Sequence, residues 1–255
     1  MKNFPLTFIK RSFRILLSFG GHFCVAGLTI LLFSCKKETK EVTTYYDSAG
    51  KQVHEIYSVK ADSPQVKQGD YMLYGEDGKK VERRKYKENK ITDTLYKYYP
   101  SGNYSELAIF DDGLQNGERR VFFDNGKVMI IEHYKNGEFE GPYNSFFENG
   151  NKKEEGQYAN NAMDGLWKYY YDEGQVKEEV YFEDNKENGP YKSYYKSGKI
   201  KDVGAYENAL ESGNWKTFYE TGNLMTETNY TDGKPSGAVM HYDEDGKLAR
   251  TEMMK

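Results

Sequence analysis

Cysteine is missing from most of this chain. Its two cysteines, Cys24 and Cys35, both lie in the first 35 residues. The long remainder therefore has no disulfide framework and no thiol site. Histidine is scarce as well: His22, His54, His133 and His241 are far apart, and no His-x-x-x-His, Cys-x-x-Cys or nucleophile elbow is present. That argues against a zinc site and against a Ser/His/Asp hydrolase. Leucine and isoleucine are sparse after residue 40, so a large aliphatic core is not available. No window there keeps apolar residues at 3.6 spacing, which leaves little room for helix. A basic excess is also missing. Lys2, Lys10, Arg11 and Arg14 precede Cys35 and no acid does, so the chain from Cys35 onward has 32 basic and 40 acidic residues, a net −8. Such a surface lacks the basic patch that nucleic acid requires and the positive charge that anionic lipid attracts.

What is abundant is periodic. Gly102, Gly126, Gly150, Gly174, Gly198, Gly222 and Gly246 are each 24 residues apart. A second series, Gly117, Gly141, Gly165, Gly189, Gly213 and Gly237, keeps the same period, as do the rings Tyr86, Phe110, Tyr134, Tyr158, Phe182, Tyr206 and Tyr230. Three registers with one period mark a repeat array in which each unit stacks on its neighbours. Within one unit, Leu166–Tyr171 is dense in aromatics, which favour strands. Asp172-Glu173-Gly174 is a turn signal, and Val176–Phe182 is a second strand-like run. The spacing predicts strands over 165–171 and 175–182 and a polar loop over 184–189.

Alternation along these strands puts Trp167, Tyr169 and Tyr171 on one face and Lys168 and Tyr170 on the other; Val176, Glu178, Val180 and Phe182 share a face. Rings on both faces suit one extended sheet held by cross-strand pairs better than a two-layer sandwich. The fold class expected is all-β: an elongated single antiparallel sheet of tandem 24-residue hairpin repeats. At roughly 4.8 Å per strand it would run on the order of 80 Å. A propeller is the competing arrangement, since two units would make one four-stranded blade.

The organisation expected is a leader over 1–34, a linker over 35–44, irregular repeats over 45–98 with an insertion near Val59–Gln68, and a regular array over 99–255. The leader has a basic start, a mostly apolar run over Ile15–Phe33 and the ending Leu32-Phe33-Ser34-Cys35. That is the layout of a secretory signal, and the ending resembles a bacterial lipobox with Cys35 as the lipidated residue. The competing reading is an uncleaved membrane anchor.

The acid pairs Asp111-Asp112, Glu154-Glu155 and Glu178-Glu179 recur at turns or on strand faces. Asp243-Glu244-Asp245 lacks a calcium loop's spacing. No catalytic residue, metal site or cofactor is expected. The candidate protein-binding residues are Trp167 and Trp215, at equivalent places two units apart, with Tyr143 and Tyr191 at the same place in other units. Trp and Tyr are favoured interface anchors; the alternative is that these rings are cross-strand packing.

The pattern Gly165, Trp167, Tyr170, Tyr171, Gly174, Glu178, Tyr181, repeated as Gly213, Trp215, Phe218, Tyr219, Gly222 and Tyr230, resembles the MORN repeat. It is similar to the bacterial variant found in antitoxin-like proteins. The eukaryotic Tyr-x-Gly ending is replaced by Tyr-Lys-Asn-Gly (134–137) and Tyr-Thr-Asp-Gly (230–233). The resemblance implies a single sheet of hairpins. With the leader, it makes the expected function that of a non-enzymatic, lipid-anchored protein of the bacterial outer membrane or cell surface, which binds another protein or an envelope component. The alternative is an antitoxin or immunity protein that covers a toxin.

Overall fold

Two kinds of turn alternate along the chain and set the architecture. At one edge the strands are joined by two residues, as at Asn160-Asn161 (φ 49° and 68°), Asp184-Asn185 (50° and 65°) and Asn208-Ala209 (51° and 66°). Positive φ at both central residues is the type I′ turn, whose twist matches that of the flanking strands. Asn and Asp tolerate it better than other non-glycine residues. At the opposite edge, the Gly174 amide donates to the Tyr171 carbonyl at 2.9 Å, and the Tyr171 amide donates to the Gln175 carbonyl at 2.9 Å. Gly174 sits at φ 100°, and Gly102, Gly126, Gly150, Gly198, Gly222 and Gly246 occupy the same place at 95°, 82°, 98°, 82°, 103° and 83°.

The computed structural model describes residues 38–254, so Cys35 and the leader over 1–34 lie outside the described residues. The described part lies in the unit Lys37–Lys255. Its strands are β1 Thr39–Tyr45, β2 Val53–Lys60, β3 Lys67–Tyr74, β4 Lys80–Lys87, β5 Lys90–Tyr98 and β6 Tyr104–Asp111. They continue as β7 Leu114–Phe122, β8 Val128–Lys135, β9 Glu138–Phe139, β10 Gly141–Phe146, β11 Lys152–Ala159, β12 Ala162–Tyr170 and β13 Val176–Glu183. The last are β14 Lys186–Tyr194, β15 Ile200–Glu207, β16 Leu210–Phe218, β17 Leu224–Thr231, β18 Lys234–Tyr242 and β19 Leu248–Met253. Each pairs antiparallel with its chain neighbour, and β9 and β10 both pair with β8 as two pieces of one interrupted strand. The result is one open meander, a single antiparallel sheet rather than propeller blades.

Several boundaries differ from the sequence expectation. The linker expected through residue 44 is strand from Thr39, because Thr39–Tyr45 pairs with Lys60–Val53. The insertion is the six-residue loop 61–66, closed by the Lys60 amide on the Val66 carbonyl at 2.9 Å. The polar loop expected over 184–189 is only Asp184-Asn185; strand resumes at Lys186. The second glycine series lies inside strands, at bulges. Val180 pairs with Tyr191 but Phe182 pairs with Glu187, so β14 carries two extra residues around Gly189 at φ 129°. A second bulge, at Lys177, sets Val176 opposite Tyr170 rather than in line with Glu178. Bulges of this kind bend a strand and increase its twist.

Consecutive units are also latched edge to edge. The Tyr171 hydroxyl donates to the Tyr194 carbonyl (2.8 Å), Tyr195 to Phe218 (2.7 Å) and Tyr219 to Tyr242 (2.9 Å). At the tight-turn edge, Asn185 Oδ1 accepts from the Met163 amide at 2.8 Å, and Asn161 Oδ1 from Phe139 at 2.7 Å. Each latch ties one turn to the next unit.

Replacing Gly174 by valine forces a β-branched residue to φ 100° and should destabilise the protein by about 1–3 kcal/mol. Thermal or denaturant unfolding checks it; an unchanged midpoint would show that the turn does not need this backbone.

Candidate functional site

A sheet without a covering layer must bury side chains against its own surface, and here it does so along one row. Strand pairing carries the row through Trp167, Val180, Tyr191 and Gly204 on one face. Tyr71, Leu95, Ala108, Glu132 and Thr228 hold the equivalent positions and are buried. In several hairpins a large residue from one strand faces a small one from the other, as Leu95 faces Ala108, Tyr143 faces Gly156 and Tyr191 faces Gly204. The ring of Trp167 lies flat over Gly156, where an added Cβ would sit 2.2 Å from the indole; Trp215 covers Gly204 in the same way.

For Trp167 this is the cross-strand packing that the sequence offered as the alternative to an interface anchor. Trp167 is 2 % exposed. It packs with Tyr143 (centroids 5.4 Å), Tyr158 (5.2 Å) and Phe182 (6.2 Å) and donates from Nε1 to the Gln157 carbonyl at 3.2 Å. Trp215 repeats the cluster half-buried, with Tyr191 at 5.2 Å, Tyr206 at 5.2 Å and Tyr230 at 6.1 Å, and donates to the Ala205 carbonyl. The four candidates thus share one face, Tyr143 against Trp167 and Tyr191 against Trp215. Trp167 serves the packing, while the other three are partly accessible.

A second row runs beside the first on this face. Pairing links Glu82, Lys97, Glu106, Val121, Ile130, Ser145, Glu154, Tyr169, Glu178, Ser193, Asp202 and Thr217. Every other strand therefore brings an acid to it, except at Ile130. The acids are treated differently along the sheet. Glu106 is bound by Arg119 Nε at 2.9 Å and Lys97 Nζ at 3.0 Å, and Arg119 also bonds Glu132. Burial alone would raise the Glu106 carboxyl, but these two cations outweigh it and hold it below the usual range. Asp202 accepts only hydroxyls, from Ser193 at 2.6 Å and Thr217 at 2.8 Å. Burial raises Glu178, with Lys177 opposing and Glu187 adding. Burial, with nearby carboxylates, also pushes Tyr143, Tyr169 and Tyr206 up to about 12, so these phenols stay protonated at neutral pH.

Around Asp202, whose nearest cation is the marginal Lys201 at 3.9 Å, the face opens into a groove of about 300 Å³, lined by Tyr191, Asp202, Tyr206, Glu211, Trp215, Thr217, Thr226, Thr228 and Tyr230. Sequence reasoning missed Arg119 and Glu132 as a pair. Their signal was a charge in mostly uncharged columns: Arg119 stands where other units have Tyr, Trp, Leu or Val, and Glu132 where the units from 108 to 228 otherwise have Ala, Gly, Val or Thr. The opposite face carries half-buried ion pairs such as Lys168–Glu179 (3.0 Å) and Lys216–Glu227 (3.4 Å). His241, half-buried, continues the second row beyond Thr226. Among the described residues no group of His, Cys, Asp or Glu could hold a metal ion.

Five consecutive segments, 115–136, 139–160, 163–184, 187–208 and 211–232, match the MORN repeat variant. Each spans one hairpin of the sheet, such as β12 with β13. No curated protein matches the chain. Among solved structures, a chain from the crystal structure of TcdB2-TccC3-Cdc42 is 13 % identical, with a TM-score of 0.23 over 80 % of this chain and 13 % of that one. One from TcdB2-TccC3-TEV is 10 % identical, with a TM-score of 0.22 over 86 % and 15 %. This chain thus spans about a seventh of the length of those chains, and similarity at this level bears on neither partner nor activity.

The two kinds of acid should respond oppositely to neutralisation. Glu106, with its depressed folded pKa, contributes stability that is present above the unfolded pKa and lost as pH falls through the folded one. Glu178, with its raised pKa, favours the folded state below the unfolded pKa and loses that contribution as pH rises through the folded one. At pH 7, Glu106→Gln should cost on the order of 1–3 kcal/mol, while Glu178→Gln should leave stability unchanged or raise it. Denaturant titrations at pH 7 and pH 4 check both signs; a loss at Glu178 equal to that at Glu106 would contradict them.

Proposed function

We propose that this MORN-repeat chain is a non-enzymatic binding scaffold, held on the bacterial envelope by lipid on Cys35, whose ring- and acid-lined face receives another protein or an envelope component. The observation that carries the reading is the groove beside Trp215. There the rings, hydroxyls and carboxylates of two successive hairpins converge on space that the chain's own side chains do not fill. Concave, partly apolar surfaces with a few convergent polar groups are the usual binding sites of proteins, and repeat arrays present such surfaces over several units. Tyr and Trp supply contact area at low entropic cost. The leader supports display on the outside of the cell: a basic start, an apolar run and Leu-Phe-Ser-Cys.

Two measurements test this. Labelled fatty acid fed to producing cells should enter the wild type and not a Cys35→Ala variant, and the membrane form should begin at Cys35. A membrane form still beginning at Met1 would make the leader an uncleaved anchor. A pull-down from envelope fractions should recover a stoichiometric component, and Thr217→Arg, which fills the groove, should lose it. Equal recovery by a folded Thr217→Arg protein would place binding elsewhere.

A further inference from the structure

The first half of the sheet shows what this face can accommodate. Lys67 Nζ lies 4.8, 4.9 and 5.2 Å from the ring centroids of Tyr57, Tyr71 and Tyr86. The Arg84 guanidinium carbon lies 4.4 Å from the Tyr71 centroid. Arg119 bridges Glu106 and Glu132. Rings and carboxylates in this arrangement hold cations by cation–π attraction and charge-assisted hydrogen bonds. In this half the chain supplies the cations itself.

The second half keeps the rings and acids, but its cations leave the row and stand only at its margin. The acid row continues as Glu154, Glu178 and Asp202, but Tyr191 stands where Arg119 stood, three repeats earlier, and Thr217 where Lys97 stood, five repeats earlier. Among the described residues Glu154 accepts no side-chain hydrogen bond, and the side-chain donor beside Glu178 is the Tyr191 hydroxyl rather than a cation. The nearest ammonium groups belong to bulge residues at the margin: Lys153 Nζ is 3.6 Å from Glu154 and Lys201 Nζ 3.9 Å from Asp202, both beyond hydrogen-bond distance and with side chains about half exposed (52 % and 49 %). Lys177 is placed in the same way beside Glu178. Two hydroxyls on this face are also unanswered. Ser145 Oγ and Thr228 Oγ1 belong to residues 4 % and 8 % exposed and have no hydrogen-bond partner, and Thr228 lines the groove beside Trp215.

We propose that this half of the face binds an extended, basic segment of a partner protein, seating lysine or arginine side chains against Glu154, Glu178 and Asp202 and over the rings of Tyr191 and Trp215. The spacing suits such a segment. Successive acids are one repeat apart, two strand steps of about 4.8 Å each. A polyproline II chain advances about 9.3 Å per three-residue turn and shows every third side chain on one edge, so a basic residue at every third position meets one acid per repeat. The inference rests on the protein-binding reading above and names the chemistry of the partner.

The only two tryptophans, Trp167 and Trp215, lie on this face and report on it directly. The full chain is titrated with a peptide of Lys-Pro-Pro repeats and with its Glu-Pro-Pro counterpart, following tryptophan emission. The lysine peptide should change the emission saturably and bind at least about tenfold tighter than the glutamate peptide. Two variants should each weaken it at least about fivefold while circular dichroism is unchanged. Glu178→Gln combined with Asp202→Asn removes the charges; Tyr191→Arg gives Glu178 the partner that Arg119 gives Glu106. Equal binding of the two peptides, or undiminished binding by a folded variant, overturns the inference. If the lysine peptide does not bind while the envelope pull-down recovers a glycan or a neutral protein, the inference falls and the scaffold reading stands. If both fail, both fall.

Discussion

The contact on which this structure depends is an aromatic ring laid on a glycine of the neighbouring strand. A sheet with no second layer has no interior in the usual sense, so water can be excluded only by side chains lying flat along the sheet. Trp167 over Gly156 does this most completely, and Trp215 over Gly204 repeats it half-buried. Magnitudes support the ranking. Removing a buried large ring costs about 3–5 kcal/mol, whereas one tyrosine–carbonyl latch is worth about 0.5–1.5 kcal/mol and an exposed ion pair less still. The latches and turns set the geometry, and the central row supplies most of the stability. Because that row passes from each hairpin only to the next, each unit depends on its immediate neighbours.

The same constraint explains the divided face. A row one residue wide must be filled in every unit, and there are two ways to fill it. Where the facing strand offers glycine, as at Gly156 and Gly204, a ring lies down over it. Where it offers Glu132, Arg119 bridges to the acid and the site is closed with charge. The first solution leaves the neighbouring acids with lysines only at the margin, and the second ties them to Arg119 within the rows. The charge left open on this face therefore differs from unit to unit.

Much of this was legible in the sequence, for identifiable reasons. The 24-residue period, the hairpins and the turn glycines could be read because turns demand particular residues: Gly174 at φ 100° and Asp184-Asn185 at positive φ leave clear marks. The bulges were not legible, because an extra residue in a strand has no composition of its own; Gly189 looked like a loop residue until the register showed β14 running through it. Strand β1 was hidden because Thr39–Tyr45 is polar and its evidence is a pairing with β2. The choice between anchor and packing for Trp167 could not be made from the sequence, since alternation shows which face a ring is on but not that a glycine one strand away lets it sink flat. The Arg119–Glu132 closure shows only when two columns a strand apart are compared, which needs the register first.

The central claim is that stability is local, carried from each hairpin to the next by the ring-on-glycine row. Ending the chain after Glu207 and following amide hydrogen exchange across the remainder tests it most directly. The account predicts faster exchange in the units next to the cut, around β12 to β15, and protection equal to the full chain from β2 through β8. Uniform loss of protection over all the remaining strands would show one cooperative core and contradict the account.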